Sequence, residues 1–487
     1  MLMPEQVSTG IPVLAIYDFR SKQEFIYRTN KMREITGASE LIAGMYDKFL
    51  DAEPRIECAW ENGEAFSTTF DGDTVGRVVY IGGGNLCILY RTRDDYVACN
   101  KVFSRIVLDK SYSLSMIVAC TEWTGDFQET RTAAYRNLDM QKRVGYAGVP
   151  CNVLPYTQVD RTTFQPIAYK NSREQEELSR ESQCKRDAFD EKGKECPDWK
   201  KQGRFIDEIG AAKGEDSLIA VIYSDGNSIG AKLKNNVKTV SDMRQFSLEV
   251  HRALVERTEA AIKEKLEQLD EKYRGYRVII DHGDEITLIC NAHAAPLALD
   301  AYFEALRGSG YEACAGVAIC HSHDPFSVVY GIAEECCESG KKASRAEGGN
   351  ASFVDFHFCR SGITGSLEQI RGAQESSLTA RPYKVYDSYR LFLEAGETLA
   401  ASKVTRSDLK ELNRAIARGQ SWYSLEYERL KAKDASAFAK LEKLANEELL
   451  KLLLFDVTGF WDVFDLRFSG SAAVAPADGE ERDGDVD

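Results

Sequence analysis

One order of elements occurs twice in this sequence, and it limits the fold more than any other feature. An apolar strand at Val13–Phe19 leads into a long helix from about Gln23 to Phe49. Strand Arg77–Ile81, the turn Gly82-Gly83-Gly84-Asn85 and strand Leu86–Tyr90 follow, then a helix at Asp94–Leu108 and a strand at Leu114–Cys120. The second copy runs through strand Leu218–Ser224, a helix from about Ser241 to Lys272, and strand Arg277–Asp281. Next come the turn His282-Gly283-Asp284-Glu285, strand Ile286–Cys290 and helix Pro296–Leu306. Strand Cys314–His321, helix Phe326–Lys342 and strand Ser352–Phe358 close it. The strands are short and β-branched, and the helices carry apolar residues at three-to-four spacing. Such a pattern specifies an α+β protein with two ferredoxin-like βαββαβ units.

A chain of 487 residues exceeds one ordinary core, so further domains are expected. The divisions expected are 1–150, a charged linker or insert at 151–215, 216–375, a helical domain at 376–468 and a disordered acidic tail at 469–487. Residues 170–208 are about half charged and read as an exposed insert or flexible connector. Helices are expected at Tyr386–Ala395, at Arg406–Arg418 and over a long amphipathic stretch from Trp422 to Leu454. No apolar run approaches the roughly 20 residues of a membrane helix, and no signal peptide is evident, so the cytoplasm is the expected location and a membrane is not. Thirteen cysteines without CxxC spacing read as reduced thiols. Cys184 and Cys196 alone make a poor zinc site, and His321 and His323 read as strand-end histidines. The net charge of −15 opposes a long nucleic-acid groove and suits a small anion held through metal ions.

In the second copy, the run VIYSDGNSIG places Asp225 at the end of an apolar strand, where a carboxylate can hold a metal ion. Gly226 and Asn227 after it allow phosphate and backbone to approach. An Asp-Gly turn alone is common. The run VIIDHGDEITLIC adds a hairpin with adjacent acids, Asp284 and Glu285, beside Gly283. Adjacent acids between buried strands repel one another unless a cation neutralises them. In this order of elements the first strand lies beside the hairpin, so Asp225 and Asp284 face each other and can share two Mg²⁺ or Mn²⁺ ions. There is no GxxxxGK[ST] loop and no GxSxG elbow.

DHGDEI resembles the GGDEF hairpin of diguanylate cyclases, with His282 for the first Gly and Ile286 for Phe. SDGNSIG, and CAGVAICHSHDPFSVVYGIAEECCESGKKASR at 314–345, resemble the large polymerase/cyclase subunit of type III CRISPR complexes, a CRISPR-associated palm-domain family. TNKMREITGASELIAG at 29–44 resembles the same family's first palm, and LTARPY at 378–383 its helical extension. The resemblance implies catalytic and metal roles for Asp225, Asp284 and Glu285, and nucleotide contacts from Gly226, Asn227, Gly283, Lys341 and Lys342. It further implies a first palm that has lost its chemistry, because Gly84 and Asn85 stand in place of the acids. The implied activity is a nucleotidyl cyclase or cyclic-oligonucleotide synthase using ATP or GTP in antiviral defence. The alternative is a non-catalytic nucleotide-binding scaffold that docks CRISPR-complex subunits and guide RNA. A template-dependent polymerase is disfavoured by the acidic charge.

Overall fold

The structure is a computed structural model and describes residues 10–58, 66–144, 154, 156–171, 176–195, 209, 217–359 and 365–470. In the first copy β1 (Val13–Arg20) is followed by α1 (Lys22–Tyr27), α2 (Met32–Ala43), α3 (Met45–Ala52) and β2 (Ile56–Glu57). The hairpin β3 (Gly76–Gly82) and β4 (Asn85–Tyr90) comes next, then α4 (Arg93–Ser111), β5 (Ser115–Glu122) and α5 (Phe127–Arg143). An insert contributes β6 (Ile167–Asn171), β7 (Glu176–Ser179) and α6 (Arg180–Glu195).

The second copy opens with β8 (Leu218–Gly226), α7 (Ile229–Asn236) and α8 (Val240–His251). A π-helical turn at Arg252–Glu256 joins α8 to α9 (Arg257–Glu267). The hairpin β9 (Tyr276–His282) and β10 (Glu285–Asn291), α10 (Ala295–Leu306), β11 (Ala313–His321), α11 (Phe326–Ala346) and β12 (Phe353–Phe358) complete it. After it come α12 (Leu367–Leu378), β13 (Tyr383–Lys384), α13 (Ser388–Ala400), α14 (Arg406–Arg418), α15 (Gln420–Lys433), α16 (Ala435–Leu444), α17 (Glu447–Gly459) and α18 (Trp461–Phe468).

The two sheets run β2-β3-β4-β1-β5 and β13-β12-β11-β8-β10-β9. Numbered within each copy, the four repeat strands lie in the order 4-1-3-2, the antiparallel ferredoxin-like arrangement that the repeat specifies. The first strand of each copy is central and apolar on both faces, which is why VLAIY and LIAVIY carry no alternation. The helical segment docks on β12 and β13 through Phe356, Tyr383, Phe392 and Phe464.

Several expected elements are cut differently. The helix expected at 23–49 is three helices, broken around Asn30 and at Gly44. The stretch 422–454 is broken at Asp434 and Asn446, each of which caps the next helix through its side chain. Helices α5 and α7 have no counterpart in the sequence reading.

The charged stretch 170–208 departs most from expectation. Its described part is folded against the first copy, with Glu181, Lys185 and Arg186 buried. The Glu181 carboxylate takes hydrogen bonds from Lys185 Nζ, Arg28 Nη1 and Gln165 Nε2, each at 2.7 Å. The Arg186 guanidinium meets Glu34 at 2.8 Å. Here charge marks a paired, buried seam: Lys185 pairs with Glu181 within α6, while Arg28 and Glu34 reach Glu181 and Arg186 from the first copy. Helix α6 lies so close to α2 that a Cβ on Gly37 would stand 1.8 Å from the Lys185 carbonyl oxygen. Cys184 is a half-buried free thiol, while Cys196 and residues 471–487 of the expected tail lie outside the described residues. Among the described residues no helix is long and apolar enough to cross a membrane.

Candidate active site between β8 and the β9–β10 hairpin

Strand β8 ends at Asp225 and Gly226, and antiparallel pairing sets Asp225 directly opposite Glu285 on β10. On its other side Asp225 pairs with Cys314 of β11. The hairpin turns at Gly283, which takes φ 68°, a value that suits glycine at the first central position of a tight hairpin. Asp284 follows, and its carbonyl accepts a hydrogen bond from Gly226 N at 3.1 Å. A Cβ on Gly226 would come within 3.1 Å of the Asp284 Cβ, so glycine is what lets strand end and turn close on each other. His282 is the last residue of β9, outside the turn, and its Nδ1 lies 3.0 Å from Asp281.

The three predicted acids are thereby gathered. Burial, and next the charge and hydrogen bond of Asp225, push the Asp284 carboxyl up to about 7. Burial, followed by the charges of Asp225, Asp284 and Glu334, pushes Glu285 up to about 7 as well. Glu285 Oε1 is buried without a hydrogen-bond partner. Lys341 of α11 reaches the cluster and bonds Asp225 Oδ2. Burial works against the charge of Lys341, but Asp225 outweighs it and holds the ammonium above its ordinary value.

The other expected contacts divide. Lys342 is exposed, one position further round α11. Asn227 is buried, and its amide donates to Ser344 Oγ at 3.2 Å and to the Ala351 carbonyl at 2.9 Å. Its side chain therefore ties the end of β8 to the last turns of α11 and to Ala351 beyond it. Ser228 next to it takes φ 57° and opens α7. Glu334 was missed from sequence. It stands two helical turns before Lys341, on the same face of α11, and its charge acts on Glu285.

These acids suit a divalent cation in donor chemistry. They offer hard carboxylate oxygens, one of them buried without a partner, and two acids pushed up by burial and then by the charge of Asp225. Among the described residues no three such side chains are already drawn together as a metal-ligand group.

The first copy repeats the geometry with different groups. Asp18 follows Tyr17, the last residue of β1 that pairs with β4, and pairs with Ile117 of β5. Lys142 of α5, at the place of Lys341, lies 2.8 Å from Asp18. Lys22 lies 2.7 Å from the other Asp18 oxygen and donates to the Gly84 carbonyl at 3.0 Å. Two ammonium groups thus flank Asp18, where the second copy sets one ammonium and two further acids beside Asp225. The two turns also touch: a Cβ on Gly283 would lie 3.0 Å from Gly83 Cα.

No protein-family profile matches the sequence, and no curated protein does. Solved structures do match. A Csm1–Csm4 cassette in complex with cA3 aligns over 93% of this chain and 69% of that one, with TM-score 0.50 and 12% identity. The fold is that of Csm1. Csm1 from T. onnurineus aligns over 95% of this chain and 69% of its own, with TM-score 0.48 and 14% identity. Csm1 is a subunit of type III CRISPR complexes, so the sequence resemblance and the fold point to the same architecture.

Proposed function

We propose that this chain is a nucleotidyl cyclase subunit of a type III CRISPR-related defence assembly, which binds ATP or GTP at Asp225, Asp284, Glu285 and Lys341 and joins nucleotides into a cyclic product. One observation carries the reading: Asp225 and Lys341 meet at the end of β8 beside the turn that carries Asp284 and Glu285, and burial followed by the Asp225 charge pushes both of those acids up to about 7. The Csm1–Csm4 cassette of the same fold is in complex with cA3, which supports a site for such a ligand. Mg²⁺ or Mn²⁺ held by Asp225, Asp284 and Glu285 would neutralise the triphosphate and acidify the attacking hydroxyl. Ring formation is a displacement: a ribose 3′-oxygen bonds to an α-phosphorus and pyrophosphate departs. Lys341 leaves Asp225 for the triphosphate and offsets the charge that gathers there. The glycine turn of the first copy holds no carboxylate and serves binding, not chemistry.

A second reading has its own support. The ion pair of Lys341 with Asp225 mirrors that of Lys142 with Asp18 in the copy without acids. A scaffold subunit that binds nucleotide, partner subunits and guide RNA would keep that pairing. The two readings separate on product. Purified protein is incubated with each of the four triphosphates and Mn²⁺, with and without RNA, and products are resolved by chromatography. A cyclase forms a cyclic product, and Asp284→Ala lowers the rate by a factor of about a hundred or more, the loss of one charge-stabilising group. Nucleotide binding without turnover in every mixture establishes the scaffold.

A further inference from the structure

Lys341 rides on α11, and the N-terminal end of that helix is held by the other copy. Pro325 occupies the N-cap and carries no side-chain acceptor. Asn30, in the break between α1 and α2, supplies what is missing: its Oδ1 accepts from Phe326 N at 2.9 Å. One helical turn further on, Gln23 Nε2 donates to the Tyr330 hydroxyl at 2.8 Å. Tyr27 packs on Tyr330 and on Phe326, with ring centroids 4.2 and 5.3 Å apart. Tyr330 in turn meets Tyr223 edge-on at 5.6 Å, two residues before Asp225 on β8.

The middle of α11 rests on its own sheet. A Cβ on Gly316 would lie 1.9 Å from the Ala333 carbonyl oxygen and 2.4 Å from Cys337 N. Helix and strand touch backbone to backbone there, with no side chain to cushion a shift. Lys341 lies fifteen positions beyond Phe326, about 22 Å along the axis. The helix is thus a rigid bar with a contact point near its middle, a foreign clamp at one end and the phosphate lysine at the other.

We infer that Gln23, Tyr27 and Asn30 of the first copy are positioning residues for Lys341, setting the placement of α11 and so the distance from its ammonium group to the substrate phosphates. The inference deepens the cyclase reading and rests on it for the role of Lys341. It gives the copy without acids a definite task in the reaction. Its elements α1 and the Asn30 break hold the other copy's helix without touching substrate.

The test uses the full chain and the variants Asn30→Ala, Asn30→Asp, Lys341→Ala and the double variant Asn30→Ala/Lys341→Ala. Amide hydrogen exchange is followed separately over 326–333 and 338–346, and affinity is measured for ATP with Mn²⁺. Asn30→Ala is expected to speed exchange roughly ten-fold in both segments, the size of a lost helix cap. It should weaken ATP binding, and the double variant should bind no worse than Lys341→Ala. Asn30→Asp, whose carboxylate also caps and favours a helix N-terminus, should restore both readouts. Faster exchange confined to 326–333 overturns the inference, as does additive loss in the double variant. If the unmodified chain binds neither ATP nor GTP, the cyclase reading fails, and exchange over 338–346 still decides whether Asn30 positions Lys341.

Discussion

Asp284 and Glu285 each keep a proton in the folded chain up to about pH 7. In the unfolded chain such groups release it near pH 4. Folding therefore takes up protons between these limits, and the stability these residues contribute falls as pH rises through that window and stays low above it. Glu285→Gln removes one of the repelling charges. Its melting temperature should exceed that of the parent at pH 8 and equal it at pH 4, as read by scanning calorimetry. Mn²⁺ needs the ionised forms, so its binding should release protons at pH 6.5, measured by titration in buffers of different ionisation enthalpy. A gain in melting temperature from Mn²⁺ that is equal at pH 5.5 and pH 8 would count against the three acids as ligands. His282 is raised too: burial disfavours its charge, yet the hydrogen bond and charge of Asp281 outweigh it.

The seam between α2 and α6 depends on a missing side chain. Gly37→Ala places a methyl group 1.8 Å from a backbone oxygen, so the helices must separate. Overpacking of this kind should cost about 2 kcal/mol in denaturant titration. Lys185→Met deletes a wholly buried cation and strands part of Glu181, at a cost of about 3 kcal/mol. An unchanged denaturation midpoint in both variants would show that α6 is not docked. These helices also show where the sequence was readable. Strands β1, β8 and the two hairpins were plain because apolar runs broken by glycine turns have few other solutions, and Asp225, Asp284 and Glu285 came with them. Helix α6 was misread because its partners, Arg28, Glu34 and Gln165, are scattered along the chain, so local composition could not distinguish a paired ion from a solvated one. Lys341 was placed by resemblance, but its bond to Asp225 spans 116 positions and the Asn30 cap on α11 spans 296. Contacts of that range leave no periodic trace.

At the scale of the molecule the copies are joined reciprocally. Helix α2 of the first meets β9 of the second through Ser39 and the Ile279 carbonyl. Helix α8 of the second meets β3 of the first, where Arg244 donates to the Val78 and Val79 carbonyls at 2.8 Å. The two turns meet at the centre of this exchange. Gly283→Ala must bear both a left-handed φ and the 3.0 Å approach to Gly83, whereas Gly83→Ala bears the φ alone. The first should therefore destabilise the chain by at least about 2 kcal/mol and the second by about 1 kcal/mol, by thermal or denaturant unfolding. Equal losses would mean that the turns do not touch in solution.

That contact has a consequence for how such a chain can change over generations. A duplicated unit that loses its chemistry is ordinarily free to drift. Here the first copy's turn is one wall of the second copy's turn, so a side chain gained at position 283, next to Asp284, meets the backbone of Gly83. Gly84 and Asn85 put no carboxylate in the first copy's turn, yet its backbone is still held by this contact. The two halves must accept or refuse substitutions at these turns together.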